Sequence, residues 1–248
     1  MIEIPALLII PLSFIAYVLK GVATFGPGII LAPLGALLIG VKEIVIVISF
    51  LDLISNASLV RLDRDLLKSS FLMPMIVIMI IGSALGAAML ALLPSAYFDL
   101  VFGLLLLPLG LWTLIAGGRS QDSSNSNLIA AKPAKTDLGI SLLSGCMSGL
   151  SGITGPVLAW HLGKTYSKQA FRSLMIPILL ASAIARVSVY AASGSISVEV
   201  MTLVLLALPG LCLGLWIGNR LFLQISQVWF SRIVGSLIAI SGIKLLLR

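Results

Sequence analysis

Long uninterrupted apolar runs dominate this sequence and constrain its fold more than any other feature. An α-helix needs about 20 apolar residues to cross the hydrocarbon core of a bilayer. Only 10% of the 248 residues are charged, whereas a soluble domain carries about 25%. Lipid must therefore solvate most of the apolar surface, and the sequence predicts an all-α, polytopic integral membrane protein. The runs long enough to span are 70–93, 96–116, 173–192, 196–219 and 228–247, and shorter or glycine-broken runs cover 4–19, 28–41, 44–60 and 138–163.

The sequence contains two copies of one unit, related by an offset of 128 residues. Under this offset Gly21 falls on Gly149 and Gly82 falls on Gly210. Matched glycines carry more weight than matched leucines, because each marks a break or a close approach of two backbones. A polar stretch that cannot form a core separates the copies. The predicted organisation is transmembrane repeat 1 over residues 1–117, a cytoplasmic linker over 118–134 and transmembrane repeat 2 over 135–248.

The basic residues predict how the two repeats are oriented in the membrane. Eleven of the sixteen lysines and arginines fall in four gaps between apolar runs, whereas the gaps near 94–99 and 194–199 contain none. The positive-inside rule places those four gaps in the cytoplasm. This requires each repeat to begin with a re-entrant hairpin of two short helices, followed by three transmembrane helices. The second repeat is then inverted, as in many transporters, and both termini lie outside. The alternative, one long broken helix per repeat, gives parallel repeats and leaves two basic gaps outside.

Glycine and proline break each predicted hairpin. The break in repeat 1 reads Thr24-Phe25-Gly26-Pro27-Gly28, and the break in repeat 2 reads Gly152-Ile153-Thr154-Gly155-Pro156. Proline is tolerated in the first turn of a helix, so each proline predicts the start of a half-helix, whose amide hydrogens and positive dipole end bind anions. A tightly packed kink is the alternative, but two breaks at matched positions favour one anion pocket. The residues predicted to bind the substrate are Lys20, Thr24, Phe25, Gly26, Pro27, Gly28, Ser151, Gly152, Thr154, Gly155, Pro156 and Arg186.

Three ionisable residues, Lys20, Asp52 and Arg186, lie within apolar segments. Such residues are costly in a membrane and indicate function. A positive charge beside the breaks suits an oxyanion, and arginine donates hydrogen bonds in pairs. Asp52, with Asn56 one turn further on, could neutralise Lys20 or Arg186, or could carry a coupling proton; these alternatives stay open. The single histidine, His161, is expected to be a packed, hydrogen-bonded core residue, with a proton carrier as the alternative.

Several other classes of protein are disfavoured. The sequence shows no nucleophile–base pair, nucleotide-binding loop or metal-ligand cluster, so no enzymatic activity, cofactor or metal is expected. The formal charge of +7 does not indicate nucleic-acid binding, because the basic residues lie in gaps between apolar runs. The Gly82-x3-Gly86 and Gly210-x3-Gly214 patterns allow close helix packing. We expect them to pack within one chain, with a homodimer interface as the alternative.

The breaks also carry a resemblance to a known family. The pattern Gly145-x3-Gly149-x2-Gly152-Ile153-Thr154-Gly155-Pro156, continued by Phe171-Arg172-Ser173, resembles the TauE/SafE family of sulfite and organosulfonate exporters. Phe25-Gly26-Pro27-Gly28 and Pro33-Leu34 carry it in repeat 1, although Thr24 and Pro27 stand where the family usually has glycine. The resemblance implies a secondary transporter that exports sulfite or a small sulfonate across the bacterial inner membrane. Another anion, uptake, proton coupling and a non-transporting membrane subunit remain alternatives.

Overall fold

A computed structural model of the chain describes residues 7–60, 72–92, 104, 108, 111, 133–163, 166 and 168–221. Most of the linker and of the predicted spans 96–116 and 228–247 lie outside this part. All regular structure within it is helical. The helices are α1 (Ile9–Ala23), α2 (Pro27–Ile39), α3 (Val41–Val60), α4 (Leu72–Leu92), α5 (Lys135–Ser151), α6 (Pro156–Gly163), α7 (Lys168–Ala192) and α8 (Val198–Leu221).

Four of the described helices are long and apolar enough to cross a membrane. They are α3, α4, α8 and the part of α7 from Ala170 to Ala192. Large apolar side chains of α4 and α8, such as Met73, Met89 and Leu205, are more than half exposed, as expected for surfaces that face lipid rather than water. The prediction of a polytopic, all-helical membrane protein is therefore confirmed. The helices α1 and α2 are apolar but shorter, and α6 has only 8 residues.

The helices pack in a reciprocal pattern that follows the 128-residue offset. The most extensive contacts join α1 to α8 and, correspondingly, α5 to α4. The contact of α8 with α3 likewise corresponds to that of α4 with α7. Between these groups α3 packs directly against α7. The first helix of each copy thus packs against the last described helix of the other copy, so neither copy forms its core alone.

Glycines line the two most extensive helix contacts, between α1 and α8 and between α5 and α4. A Cβ atom placed on Gly21 would lie 2.6 Å from the backbone of Gly218, and one placed on Gly149 would lie 2.4 Å from the backbone nitrogen of Ala87. A side chain does not fit at either position, because the neighbouring atoms belong to backbone. The spaced glycines of α4 and α8 therefore serve contacts within the chain, as the sequence predicts. A role in a homodimer is not needed to explain them.

Candidate functional site

The two breaks lie against each other at the centre of the helix packing. A Cβ atom on Gly28 would fall 2.2 Å from the carbonyl oxygen of Gly152, so the first turn of α2 rests directly on the second break. In the other direction, a Cβ atom on Gly155 would lie 2.9 Å from Cβ of Phe25. The predicted proximity of the two breaks is confirmed by these contacts. Pro27 and Pro156 begin α2 and α6, as predicted for prolines in a first helical turn.

Both breaks begin with the same backbone turn. Thr24 has a φ of 72° and its amide donates to the Lys20 carbonyl at 2.7 Å; Gly152 has a φ of 68° and donates to the Ser148 carbonyl at 2.8 Å. Each turn ends a helix in the left-handed conformation that glycine adopts at least cost. Thr24 is the one non-glycine residue with positive φ in the described part of the chain. A threonine held there is strained, which is a common mark of a functional position.

A buried charged cluster lies one helical turn before the first break. Nζ of Lys20 donates to Oδ1 of Asp52 at 2.8 Å and to Oγ of Ser55 at 2.6 Å. Nη2 of Arg186 donates to Oδ2 of the same carboxylate at 2.9 Å. Lys20 is 1% exposed and Arg186 is 0% exposed. The sequence left open which cation Asp52 would neutralise, and the carboxylate in fact bridges both.

Several polar atoms in and beside the charged cluster have no hydrogen-bond partner among the described residues. Within the described residues, Nε and Nη1 of Arg186 have no partner, and neither has the side-chain amide of Asn56. Asn56 lies on the same face of α3 as Asp52, because the two are four residues apart. The hydroxyl of Thr24 is buried and likewise has no partner there. An unpaired buried polar group costs about 1–3 kcal/mol, so each of these groups would gain from a hydrogen-bonding ligand.

The side of the second break carries hydroxyls instead of charges. Oγ of Ser148 lies 2.7 Å from Oγ1 of Thr154 and 3.1 Å from Oγ of Ser182, which in turn lies 2.7 Å from Oγ of Ser83. These four groups form a continuous buried hydroxyl chain that joins α5, α7 and α4. We refer to Ser83, Ser148, Thr154 and Ser182 as the hydroxyl chain. It ends at Thr154, inside the second break.

One face of α7 connects the two regions. Ser182, Arg186 and Tyr190 recur at intervals of four residues and therefore lie in one stripe along the helix. Ser182 belongs to the hydroxyl chain and Arg186 to the charged cluster, while the Tyr190 hydroxyl donates to the Gly149 carbonyl at 2.8 Å. Sequence analysis missed Tyr190, and it also missed Tyr17, whose ring centroid lies 5.6 Å from Nζ of Lys20. The spacing of Tyr17 from Lys20 and of Tyr190 from Arg186 is a helical signal that could have found both.

Two of the predicted residues are engaged in local structure. Oγ of Ser151 donates to the Met147 carbonyl at 2.7 Å and accepts from the Ile153 amide at 3.2 Å, so it stabilises the turn of the second break. His161 bonds to Asp137, whose other carboxylate oxygen accepts from the backbone amide of Ala134 at the start of α5. This contact fixes α6 to the start of α5. The His161 side chain is 24% exposed, so it lies at the edge of the packing, and its role as a proton carrier stays a prediction.

Among the described residues, no group of three or more His, Cys, Asp or Glu side chains could hold a metal ion. No curated protein and no solved structure matched the chain. The family model described as sulfite exporter TauE/SafE matches residues 9–245, which is nearly the whole chain and includes both breaks, the charged cluster and the hydroxyl chain. The chain therefore belongs to the TauE/SafE sulfite exporter family, and is a membrane transporter rather than an enzyme.

Proposed function

We propose that this protein exports sulfite or a small organosulfonate across the bacterial inner membrane by alternating access. The single observation that carries the proposal is the free edge of Arg186, a buried guanidinium with only one of its three nitrogens engaged among the described residues. A guanidinium offers five N–H donors in a planar fork that fits oxyanions. Membership of the family supports a role in export, and the free guanidinium nitrogens of Arg186 support an oxyanion as the substrate.

The proposed site combines the charged cluster with the two breaks. Arg186 provides the charge-assisted hydrogen bonds, and the unpartnered hydroxyl of Thr24 adds a neutral donor. The first free amide hydrogens of α2 and α6, after Gly26 and Gly155, donate from the helix starts. Lys20 is already bonded to Asp52 and Ser55, so it sets the charge of the site while Arg186 is the better candidate for direct contact.

The proposed architecture is the inverted repeat predicted from the basic gaps, with α1–α2 and α5–α6 as re-entrant hairpins. The reciprocal packing of α1 on α8 and of α5 on α4 supports two equivalent units. In inverted-repeat transporters the site lies between the units, and the units exchange conformations to open it on either side. This proposal places the linker in the cytoplasm. A cysteine in place of Ser124 should then resist an impermeant thiol reagent added from the periplasmic side; modification from that side would exclude the inverted arrangement.

Flux into or out of reconstituted vesicles tests the proposed function. Sulfite, methanesulfonate, sulfate and a small carboxylate would be compared with and without a pH gradient, which also tests proton coupling and direction. Charge-assisted hydrogen bonds contribute about 1.5–3 kcal/mol each, so Arg186→Gln should weaken anion binding by about tenfold to a hundredfold. Arg220→Gln is the matched control, because this exposed arginine lies over the Trp216 ring on α8, 3.9 Å from its centroid.

Two results would contradict the proposal. Wild-type anion flux by folded Arg186→Gln protein would show that the guanidinium does not serve the substrate. No flux of any of these anions by the wild-type protein, in either direction, would favour a membrane subunit that transports nothing by itself.

A further inference from the structure

We infer that the site accepts a single negative charge, so that the transported species is a monovalent oxyanion, an alkyl sulfonate or hydrogen sulfite, and divalent oxyanions are excluded. This inference rests on the proposed function and deepens it, because it specifies the valence of the substrate. It follows from the number of charges in the cluster and from their burial.

The charge of the cluster is set by three side chains. In formal charges, Lys20 and Arg186 contribute two positive charges and Asp52 contributes one negative charge. Both cations contact the carboxylate directly, and no more than 4% of any of the three side chains is exposed. The cluster therefore carries one excess positive charge where water cannot screen it.

Because this excess positive charge is buried, the site favours ligands with one negative charge over ligands with two. An uncompensated charge in a low-dielectric interior is penalised heavily, whatever its sign. A monoanion brings the occupied site to neutrality, whereas a dianion leaves one excess negative charge beside the Asp52 carboxylate. Hydrogen bonds to Arg186 and Asn56 can satisfy the oxygens of either ligand, so those donors do not separate the two. The net charge of the occupied site separates the monoanion from the dianion.

Asp52 is the residue that fixes this count. Its two oxygens are divided between Lys20 and Arg186, so it holds both cations in place and reduces their sum by one. Asn56 and the free nitrogens of Arg186 remain available for ligand oxygens. Asp52 is thus a specificity-determining residue that acts without itself donating to the anion, and replacing it with an isosteric neutral residue changes the charge while retaining the shape.

Methanesulfonate and sulfate are suitable probes, because a methyl group in one replaces a charged oxygen in the other at nearly the same size. We would measure binding of each to purified, folded protein by calorimetry, and flux in vesicles. Wild-type protein, with a cluster charge of one, should bind methanesulfonate at least about tenfold more tightly than sulfate. Lys20→Gln removes the excess charge and should weaken methanesulfonate binding by about tenfold or more, although Arg186 is intact.

The rescue variant is the decisive test. Lys20→Gln combined with Asp52→Asn restores one excess positive charge and should recover methanesulfonate binding. If Lys20→Gln lost binding only because its structure was damaged, adding Asp52→Asn would not restore binding. Asp52→Asn alone raises the excess positive charge of the cluster to two, so this variant should bind sulfate. If Asp52→Asn does not fold, the double variant, which leaves one buried cation uncompensated as in the wild type, decides the question. If the double variant does not fold either, two measurements decide the question: the preference of the wild-type protein for methanesulfonate over sulfate, and the loss of methanesulfonate binding in Lys20→Gln.

The outcomes separate this inference from the proposed function. If the wild-type protein binds methanesulfonate and Arg186→Gln loses it, the proposed function stands. Equal wild-type affinity for sulfate and methanesulfonate, or a folded double variant that does not recover binding, would then overturn the valence inference alone. If no anion binds to the wild-type protein, both fail together.

Discussion

The regions around the two breaks share a backbone and differ in chemistry. Lys20 and Ser148 occupy equivalent positions under the 128-residue offset, and both accept a hydrogen bond from the left-handed residue that ends the helix. Beside the first break, however, Lys20 belongs to the charged cluster, whereas beside the second break Ser148 belongs to the hydroxyl chain. The repeat has thus kept the turn that exposes amide hydrogens, while the side chains behind it have diverged.

The difference indicates why a duplicated site need not be symmetric. A second copy of the charged cluster would add another excess positive charge to the same buried space, with the desolvation cost that this carries. Hydroxyls satisfy one another without any net charge, and the chain of three contacts from Thr154 to Ser83 shows them doing so. Charge therefore lies beside the first break and neutral hydroxyls lie beside the second, although each group takes side chains from both copies. The following substitutions test this difference between the two breaks.

The largest effect is expected where charge compensation is removed. Asp52→Leu leaves Lys20 and Arg186 buried without a counter-charge, and breaking a buried pair in this way costs about 3–5 kcal/mol of folding stability. Thermal or denaturant unfolding of the purified protein measures it. Replacing Lys20 and Arg186 with methionine as well should recover most of the stability and none of the anion binding. A single variant as stable as the wild type would show that the cluster is hydrated or otherwise neutralised.

The next effect is expected where the two regions touch. Gly28→Ala would place a methyl group 2.2 Å from the Gly152 carbonyl oxygen, so the breaks must separate, at a cost of about 1–3 kcal/mol. Transport should fall with stability, because the donors of the two breaks no longer converge. Gly139→Ala is the matched control, since a Cβ atom there meets nothing within 4 Å. Equal behaviour of the two variants would argue against a close contact between the breaks.

A smaller effect is expected in the hydroxyl chain. Ser182→Ala removes the link between Ser148 and Ser83, and hydrogen bonds between membrane helices average only about 0.6 kcal/mol, so a loss of about 1–2 kcal/mol is expected. Anion affinity should stay near the wild-type value, because the charge of the site is unchanged. Ser58→Ala, at an exposed serine that bonds its own helix backbone, is the control. A large loss of affinity in Ser182→Ala would place the hydroxyl chain in the substrate site.

The smallest effect concerns the strained residue of the first break. Thr24→Gly relieves the left-handed conformation and should stabilise the fold by about 1 kcal/mol, while the loss of its free hydroxyl weakens anion binding. Thr24→Ser keeps both the strain and the hydroxyl and should bind as the wild type does. At the equivalent position, Gly152→Ala should destabilise by a similar amount, because Ile48 leaves room at 3.4 Å and only the backbone resists. Tighter binding by Thr24→Gly would exclude a substrate contact at Thr24.

Several features of this protein could be read from local sequence. The apolar runs specify helices, and the four helices long and apolar enough to cross a membrane agree with them, because backbone groups in lipid must be satisfied within the helix. Proline and glycine specify where a helix begins and ends, so Pro27 and Pro156 were predicted correctly as helix starts. The offset between matched glycines also predicted which positions would bring backbones together, because only glycine lacks the atom that would prevent it.

Partners distant along the chain could not be read in the same way. Asp52 bonds to residues 32 positions before it and 134 positions after it, and the sequence offered either cation without showing that the carboxylate holds both. The contact between Ser83 and Ser182, 99 positions apart, had no local signal at all. Such contacts depend on how each helix is rotated about its axis and on which neighbour it meets.

The sequence by itself determined that this chain is a helical membrane protein with two glycine breaks at matched positions, because hydropathy and backbone freedom are properties of short segments. Only the tertiary structure decided that one carboxylate bridges two cations, that the guanidinium of Arg186 retains free donors, and that hydroxyls lie beside the second break where charges lie beside the first. The physical reason is that a buried charge is defined by its neighbours in space, and the packing of α3 against α7 chooses those neighbours.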